Sequence, residues 1–149
     1  MISAEIVKQL REKTGASMMD CKKALEEASG DEVKATEALK QKNKLTAMKK
    51  SERTADQGLI ESYVHANGKI GVLLEVKCET DFVAKNSEFK ELAHEIAIHI
   101  AGMNSKDSET LLVEPFVKNP STTVKDLIDA KVGKLGENIK IGRFIRFEL

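Results

Sequence analysis

Two histidines, His94 and His99, are the side chains in this sequence that come nearest to a metal-binding pattern. The zinc-binding helix of metalloproteases spaces its two histidines four residues apart, so that both rings reach one ion. A spacing of five residues turns the second ring by about 140° around a helix of 3.6 residues per turn, which puts the rings on different faces. We therefore expect no metal site and interpret both as ordinary helix residues.

The two cysteines, Cys21 and Cys78, lack the CxxC spacing of a redox pair or zinc knuckle. Each lies among apolar positions, which predicts buried free thiols. A cysteine–histidine nucleophile has no local signature here, so a small thiol or metal enzyme is the weakest hypothesis that the residues leave open. No glycine-rich phosphate loop occurs, and we expect the chain neither to bind a nucleotide nor to need a cofactor.

Residues 78–86 place the carboxylate of Asp81 beside the ring of Phe82, where an alternating apolar run ends and a helical pattern begins. A large ring at such a junction usually turns into the core, and the pattern alone favours that position for Phe82. An outward ring beside a carboxylate would instead indicate insertion into another molecule.

Adjacent methionines, Met18 and Met19, follow a glycine turn at the start of a helical pattern. Neighbouring helix positions point about 100° apart, so at most one of the two occupies the centre of a small core. Core packing is the commoner role, but paired methionines also suit an adaptable contact surface.

The composition excludes several classes of function for the 149-residue chain. The 24 basic and 24 acidic residues cancel, which argues against a general nucleic-acid binder, and one Tyr with no Trp argues against base-stacking platforms. No apolar stretch approaches the roughly 20 residues that span a bilayer, and the first residues lack a signal-peptide pattern. We expect a cytoplasmic protein without membrane contact.

Residues 3–42 are predicted to form three short helices, each too short to be stable alone, so that all three must pack together. The residues that mark their starts and stops are Ser3, Gly15, Ser17, Gly30 and Asp31. A lysine-rich stretch at 43–57 follows and is interpreted as a charged linker or an exposed helix. These shifts predict one domain at 1–42 and a second at 58–149.

From Gly58 the apolar period changes to two, and Asn67-Gly68 between two such runs predicts a hairpin with a type I′ turn. In that register Tyr63 lies opposite Val72. Two helical patterns follow, and the tail from residue 138 alternates again. Its odd positions are mostly apolar, which predicts a buried last strand beside the hairpin. The expected fold is α+β, with a three-stranded antiparallel sheet packed with helices.

Four stretches together resemble the translation elongation factor Ts family, in the same order over nearly the whole chain. They are residues 13–25 (KTGASMMDCKKAL), 30–31 (GD), 80–86 (TDFVAKN) and 136–139 (GENI) with Arg143-Phe144. The resemblance implies that the three N-terminal helices form a domain of the ubiquitin-associated type in front of the α+β core.

The resemblance also implies a guanine-nucleotide exchange factor without covalent chemistry. Such a factor binds elongation factor Tu and promotes GDP release by disturbing the magnesium and phosphate site of that GTPase. The partner-binding positions that it implies are Arg11, Met18 and Met19 in the N-terminal domain, and Thr80, Asp81, Phe82 and Val83 in the core. It implies no direct nucleic-acid contact, and because compact family members can act as dimers, it leaves a homodimer open.

A generic interaction module is the main alternative to the exchange factor. In that hypothesis the three-helix domain binds a ubiquitin-like or ribosome-associated partner. Acceleration of GDP release from elongation factor Tu would distinguish the two.

Overall fold

Three capped helices form the N-terminal part of the chain in the computed structural model, which describes residues 2–149. They are α1 (Ala4–Thr14), α2 (Met18–Glu27) and α3 (Glu32–Lys50). Ser3, Ser17 and Asp31 cap them with side-chain oxygens that accept backbone N–H groups, as predicted. Their apolar faces enclose a small core around Leu10 and Leu25, an arrangement consistent with the ubiquitin-associated type.

Helix α3 is longer than predicted, because it continues through residues 43–50 of the stretch that the sequence left as linker or helix. The expectation that the third helix is short is therefore wrong. Its second half is built from strong helix formers such as Lys, Ala, Leu and Met, and no Gly or Pro interrupts it. The domain limits at residues 42 and 58 stay a prediction, and α3 crosses the first of them.

Nine further elements follow α3. In chain order they are β1 (Gln57–Val64), β2 (Ile70–Cys78), α4 (Asp81–Ala84), α5 (Ser87–Met103), α6 (Ser108–Val113), β3 (Pro115–Phe116), β4 (Asn119–Thr123), α7 (Val124–Leu135) and β5 (Lys140–Glu148). Strands β1, β2 and β5 form an antiparallel sheet in that order, and β3 pairs with β4. The predicted α+β class and three-stranded sheet are confirmed.

The hairpin has the predicted register but a different turn. Tyr63 pairs with Val72, as expected. Only Gly68 of the turn has a positive φ, 73°, and its N–H donates to the carbonyl of His65. Asn67 instead uses its side-chain oxygen to accept the N–H of Lys69, a local bond that replaces the left-handed backbone of a type I′ turn.

Strand β5 contains a bulge, beyond which the even-numbered instead of the odd-numbered residues face the helices. Val76 pairs with Ile141 but Leu74 pairs with Phe144, so both Gly142 and Arg143 lie opposite Glu75. A Cβ at Gly142 would lie 2.9 Å from the Cβ of Glu75, which explains the glycine. Beyond the bulge the even positions face the helices, so the expectation that the apolar odd positions are buried is wrong for the end of the strand.

Helix α5 covers one face of the sheet, and α7 packs on α5 to complete the main core. The buried sheet residues are Val72, Leu74, Val76 and Cys78, and Phe89 of α5 is fully buried against them. Helix α7 also contacts α3, where Gly133 lies so close to Asn43 that an added Cβ would stand 2.7 Å from Asn43 Oδ1. Helix α3 thus belongs to the N-terminal core at one end and packs on the main core at the other. No helix within residues 2–149 has the length and apolar character to cross a bilayer.

Candidate protein-interaction site

A short turn at residues 80–84, here called the projecting turn, carries the most exposed large ring of the structure. Helix α4 within it begins after Thr80, whose Oγ1 accepts the N–H of Val83 at 3.2 Å. Val83 and Ala84 are buried in the main core, whereas Phe82 is 85% exposed. The projecting turn is therefore anchored by two small side chains and presents its ring to the outside.

The position of Phe82 corrects the expectation drawn from the pattern alone, in which this ring filled the core. Phe89 supplies the buried ring at that place and is fully enclosed. Val83 and Ala84 lie on the core side of the turn, and Phe82, about 100° from Val83 around the helix axis, lies on the outer side. Asp81 is also exposed, and within residues 2–149 its carboxylate makes no hydrogen bond or ion pair.

The projecting turn is held by a network that the sequence patterns did not indicate. Glu137 Oε1 accepts the backbone N–H groups of Glu79 and Thr80, both at 3.0 Å. Glu137 Oε2 accepts the hydroxyl of Thr80 at 2.7 Å. The backbone N–H of Asn138 donates to Glu79 Oε2 at 2.6 Å. Residues 137–138 lay within a stretch that carried the family resemblance, but nothing in the sequence assigned them a contact.

Cys78 lies next to this network and is a poor nucleophile. It is fully buried, and its thiol donates to the carbonyl oxygen of Thr80 at 3.2 Å. Burial and the nearby carboxylates of Glu137, Asp81 and Glu79 raise the pKa of the Cys78 thiol. A thiol that stays protonated at neutral pH does not support the hypothesis of a thiol enzyme.

Met18 and Met19 begin α2 and are both exposed, by 57% and 83% respectively. Gly15, with a φ of 72°, turns the chain after α1, and the Ser17 cap then fixes the first turn of α2. Arg11, near the end of α1, is exposed as well. The expectation that one methionine packs in the core is wrong, because Leu25 and Cys21 fill that space.

Polar contacts from α3 reach α2 and the segment after α7. From the middle of α3, Lys42 Nζ lies 2.7 Å from Asp20 Oδ1 of α2, and this hydrogen bond lowers the pKa of the Asp20 carboxyl. At the C-terminal end of α3, Lys50 Nζ donates to the carbonyl of Gly136 at 3.2 Å. The side-chain amide of Asn138 donates to the carbonyl of Arg53 at 2.7 Å. Helix α3 thus has polar contacts both with α2, which carries the methionines, and with the segment at residues 136–138 that holds the projecting turn.

The two histidines of the candidate metal pair lie in different surroundings. His99 is fully buried, where the N–H of Val117 donates to Nδ1 at 3.1 Å and Nε2 lies 3.0 Å from Glu114 Oε1. His94 is exposed and stands edge-on to Tyr63, with ring centroids 5.9 Å apart. His99 therefore has a structural role, because it joins α5 to the segment around β3.

Comparisons with known proteins give a single family. The family model described as Elongation factor TS matches residues 79–149. Elongation factor Ts of Carboxydothermus hydrogenoformans is 44% identical, over all of this chain and 89% of its own length. Elongation factor Ts of Coprothermobacter proteolyticus is also 44% identical, over 99% of this chain and 98% of its own length.

The alignment with the first of these relatives spans 194 residues against the 149 of this chain, so this chain is shorter by about 45 residues within the matched region. The match nevertheless includes both the N-terminal helices and the core. The chain therefore belongs to the elongation factor Ts family, the nucleotide exchange factors of translation elongation.

Proposed function

We propose that this chain binds elongation factor Tu and promotes GDP release by inserting the projecting turn beside the magnesium and phosphate site of that GTPase. The observation that carries the proposal is the exposure of Phe82 on a turn whose other apolar side chains are buried. An isolated ring that is held outward by its own backbone has no role in the core of this chain. A protein partner can bury it.

Asp81 and Phe82 have different roles in this proposal. Magnesium and the phosphates hold the nucleotide together, so a displacement of the groups around the metal weakens both contacts. Phe82 separates side chains of the partner near that site, and the free carboxylate of Asp81 attracts the groups that orient the metal. Binding of the factor and binding of nucleotide then oppose each other, and linkage makes the opposition equal in both directions.

The energy required shows that Phe82 cannot act alone. An acceleration of release by about 10³–10⁵-fold requires the barrier to fall by roughly 4–7 kcal/mol. Burial of one phenylalanine side chain provides about 1.5–3 kcal/mol. We propose that Arg11, Met18 and Met19 supply binding energy on the N-terminal side, where all three are exposed. The exchange reaction takes place in the cytoplasm and involves neither direct nucleic-acid contact nor a membrane.

The test is release of fluorescently labelled GDP from elongation factor Tu, with and without the chain. Phe82→Ala should slow release while the chain stays folded. Val113→Ala is the matched control, because Val113 is another exposed apolar residue, on α6, and is 70% exposed. No acceleration by the unsubstituted chain at micromolar concentration would contradict the proposal and would favour a different protein partner for the three-helix domain.

We also propose that the chain forms a homodimer through the sheet face opposite α5. The exposed apolar residues of this open sheet face are Ile60, Val64, Leu73, Ile145 and Phe147. They come from all three strands, and Leu73 pairs directly with Ile145. A two-fold interface places the same patch on both sides, and an apolar patch is complementary to itself, whereas a patch of one charge is not.

A further inference from the structure

We propose that Glu137 and Asn138 are positioning residues that set the direction of Phe82, and that loss of Glu137 slows nucleotide release at saturation more than it weakens binding of the partner. This inference rests on the proposed exchange function. Glu137 and Asn138 contact the start of the projecting turn within this chain, and the inference requires no contact between them and the partner.

The carboxylate of Glu137 fixes the start of the projecting turn at three points. It accepts two consecutive backbone N–H groups, of Glu79 and Thr80, through Oε1. Through Oε2 it accepts the Thr80 hydroxyl, which leaves the lone pairs of that hydroxyl for the N–H of Val83. The Thr80 hydroxyl therefore donates its proton to Glu137 and accepts the N–H of Val83. Hydrogen bonds to a charged acceptor such as the Glu137 carboxylate are stronger than those between neutral groups.

Asn138 connects the start of the projecting turn to the residues that follow α3. Its backbone N–H donates to Glu79, and its side-chain amide donates to the carbonyls of Ser51 and Arg53 at 3.3 and 2.7 Å. Arg53 Nη1 in turn lies 3.6 Å from Glu79 Oε2. The segment at residues 136–138 therefore contacts the end of β2, the start of the projecting turn and the helix that carries the N-terminal domain.

Phe82 depends on this network for its direction because little else holds it. The ring is 85% exposed, so packing within the chain does not fix it. Helix α4 has only four residues, too few for helical hydrogen bonds alone to keep it in place. Val83 and Ala84 keep the turn on the core, but the backbone before Asp81 is oriented by Glu137. A ring that is already oriented loses less freedom when it meets the partner.

The experiment measures GDP release from elongation factor Tu over a range of factor concentrations, for the unsubstituted chain and three variants. We expect Glu137→Ala to lower the release rate at saturation about tenfold, with the half-saturating concentration changed by less than about threefold. Glu137→Gln keeps an oxygen for both N–H groups and should recover most of the rate. Asp107→Ala is the control, because the Asp107 carboxylate also accepts a backbone N–H, that of Thr110 in α6, and makes no hydrogen bond to the projecting turn.

The outcomes separate this inference from the function on which it rests. A release rate at saturation that Glu137→Ala leaves unchanged, or that Asp107→Ala lowers equally, would overturn the inference alone. No acceleration by the unsubstituted chain would overturn the proposed function and the inference together. Amide hydrogen exchange of the free variants gives a second readout. Faster exchange at Thr80 and Val83 in Glu137→Ala, with core amides of α5 unchanged, is the expected result, and equal protection would overturn it.

Discussion

Phe82 and Val83 are neighbours in the chain but have opposite surroundings, since Phe82 is 85% exposed and Val83 only 6%. The boundary between the core of the chain and its surface passes between these two residues. Val83 attaches the projecting turn to the sheet and α5, and Phe82 is free to contact another protein. Substitutions at the two positions should therefore affect different properties.

Phe82→Ala should slow GDP release without a change in stability. Loss of a ring contact worth about 1–3 kcal/mol in the partner complex corresponds to a rate roughly five to 150 times lower. Val83→Ala should instead lower the free energy of unfolding by about 1–3 kcal/mol, because two buried methyl groups are lost and a cavity remains. Urea unfolding and nucleotide release, measured on both variants, check the pair. A large loss of stability in Phe82→Ala would show that the ring supports the fold.

Met19→Ala should weaken the complex with nucleotide-free elongation factor Tu roughly 10- to 150-fold, because a methionine that is buried on binding contributes about 1.5–3 kcal/mol. The release rate at saturation should change much less, since Met19 lies on α2, which packs on α1 and α3 rather than on the projecting turn. Isothermal titration calorimetry gives the affinity. Val33→Ala is the control on the same domain, where Val33 is 79% exposed. Equal affinity for both variants and the unsubstituted chain would remove Met19 from the interface.

Local chemistry made much of the fold predictable from the sequence. The caps at Ser17 and Asp31, and the capping box that Thr123 forms with Asp126, depend on residues only two or three positions apart. The sheet followed from alternation and from one glycine turn. Each of these features is decided within a few residues, so a single sequence contains the information.

The features that were missed depend on residues distant in sequence. The bulge places Gly142 and Arg143 opposite Glu75 of another strand, and Phe82 lies outside a core in which Phe89 provides the buried ring. Glu137 meets Thr80 across 57 positions. Neither periodicity nor a motif indicates such a contact. The resemblance identified residues 80–83 as important, but only the structure shows which of them are anchored and which are exposed.

Acid should weaken the link between β2 and β5 at the bulge. Arg143 donates side-chain and backbone N–H groups to Glu75 and lowers the pKa of that carboxyl from 4.5 to about 2. A carboxyl whose pKa is lower in the folded state contributes stability above its unfolded value, and that contribution is lost as the pH falls from about 4.5 towards 2. Glu75→Gln should therefore flatten the pH dependence of the melting temperature in this window. A parallel decline in both proteins would mean that other carboxyls dominate. Since Arg143 is exposed, high salt should reduce the difference.

Ile145→Glu should convert the proposed homodimer to a monomer. The substitution places one negative charge from each chain in a self-paired apolar face, where burial removes the charge from water and provides no partner of opposite charge. The exposure of Ile145 implies that the fold of each chain is kept. Light scattering coupled to gel filtration over a concentration series gives the mass. Val113→Glu, on the exposed side of α6, is the control that adds the same charge elsewhere. A monomer mass for the unsubstituted chain at every concentration would exclude the dimer, and GDP release would then have to come from a single copy.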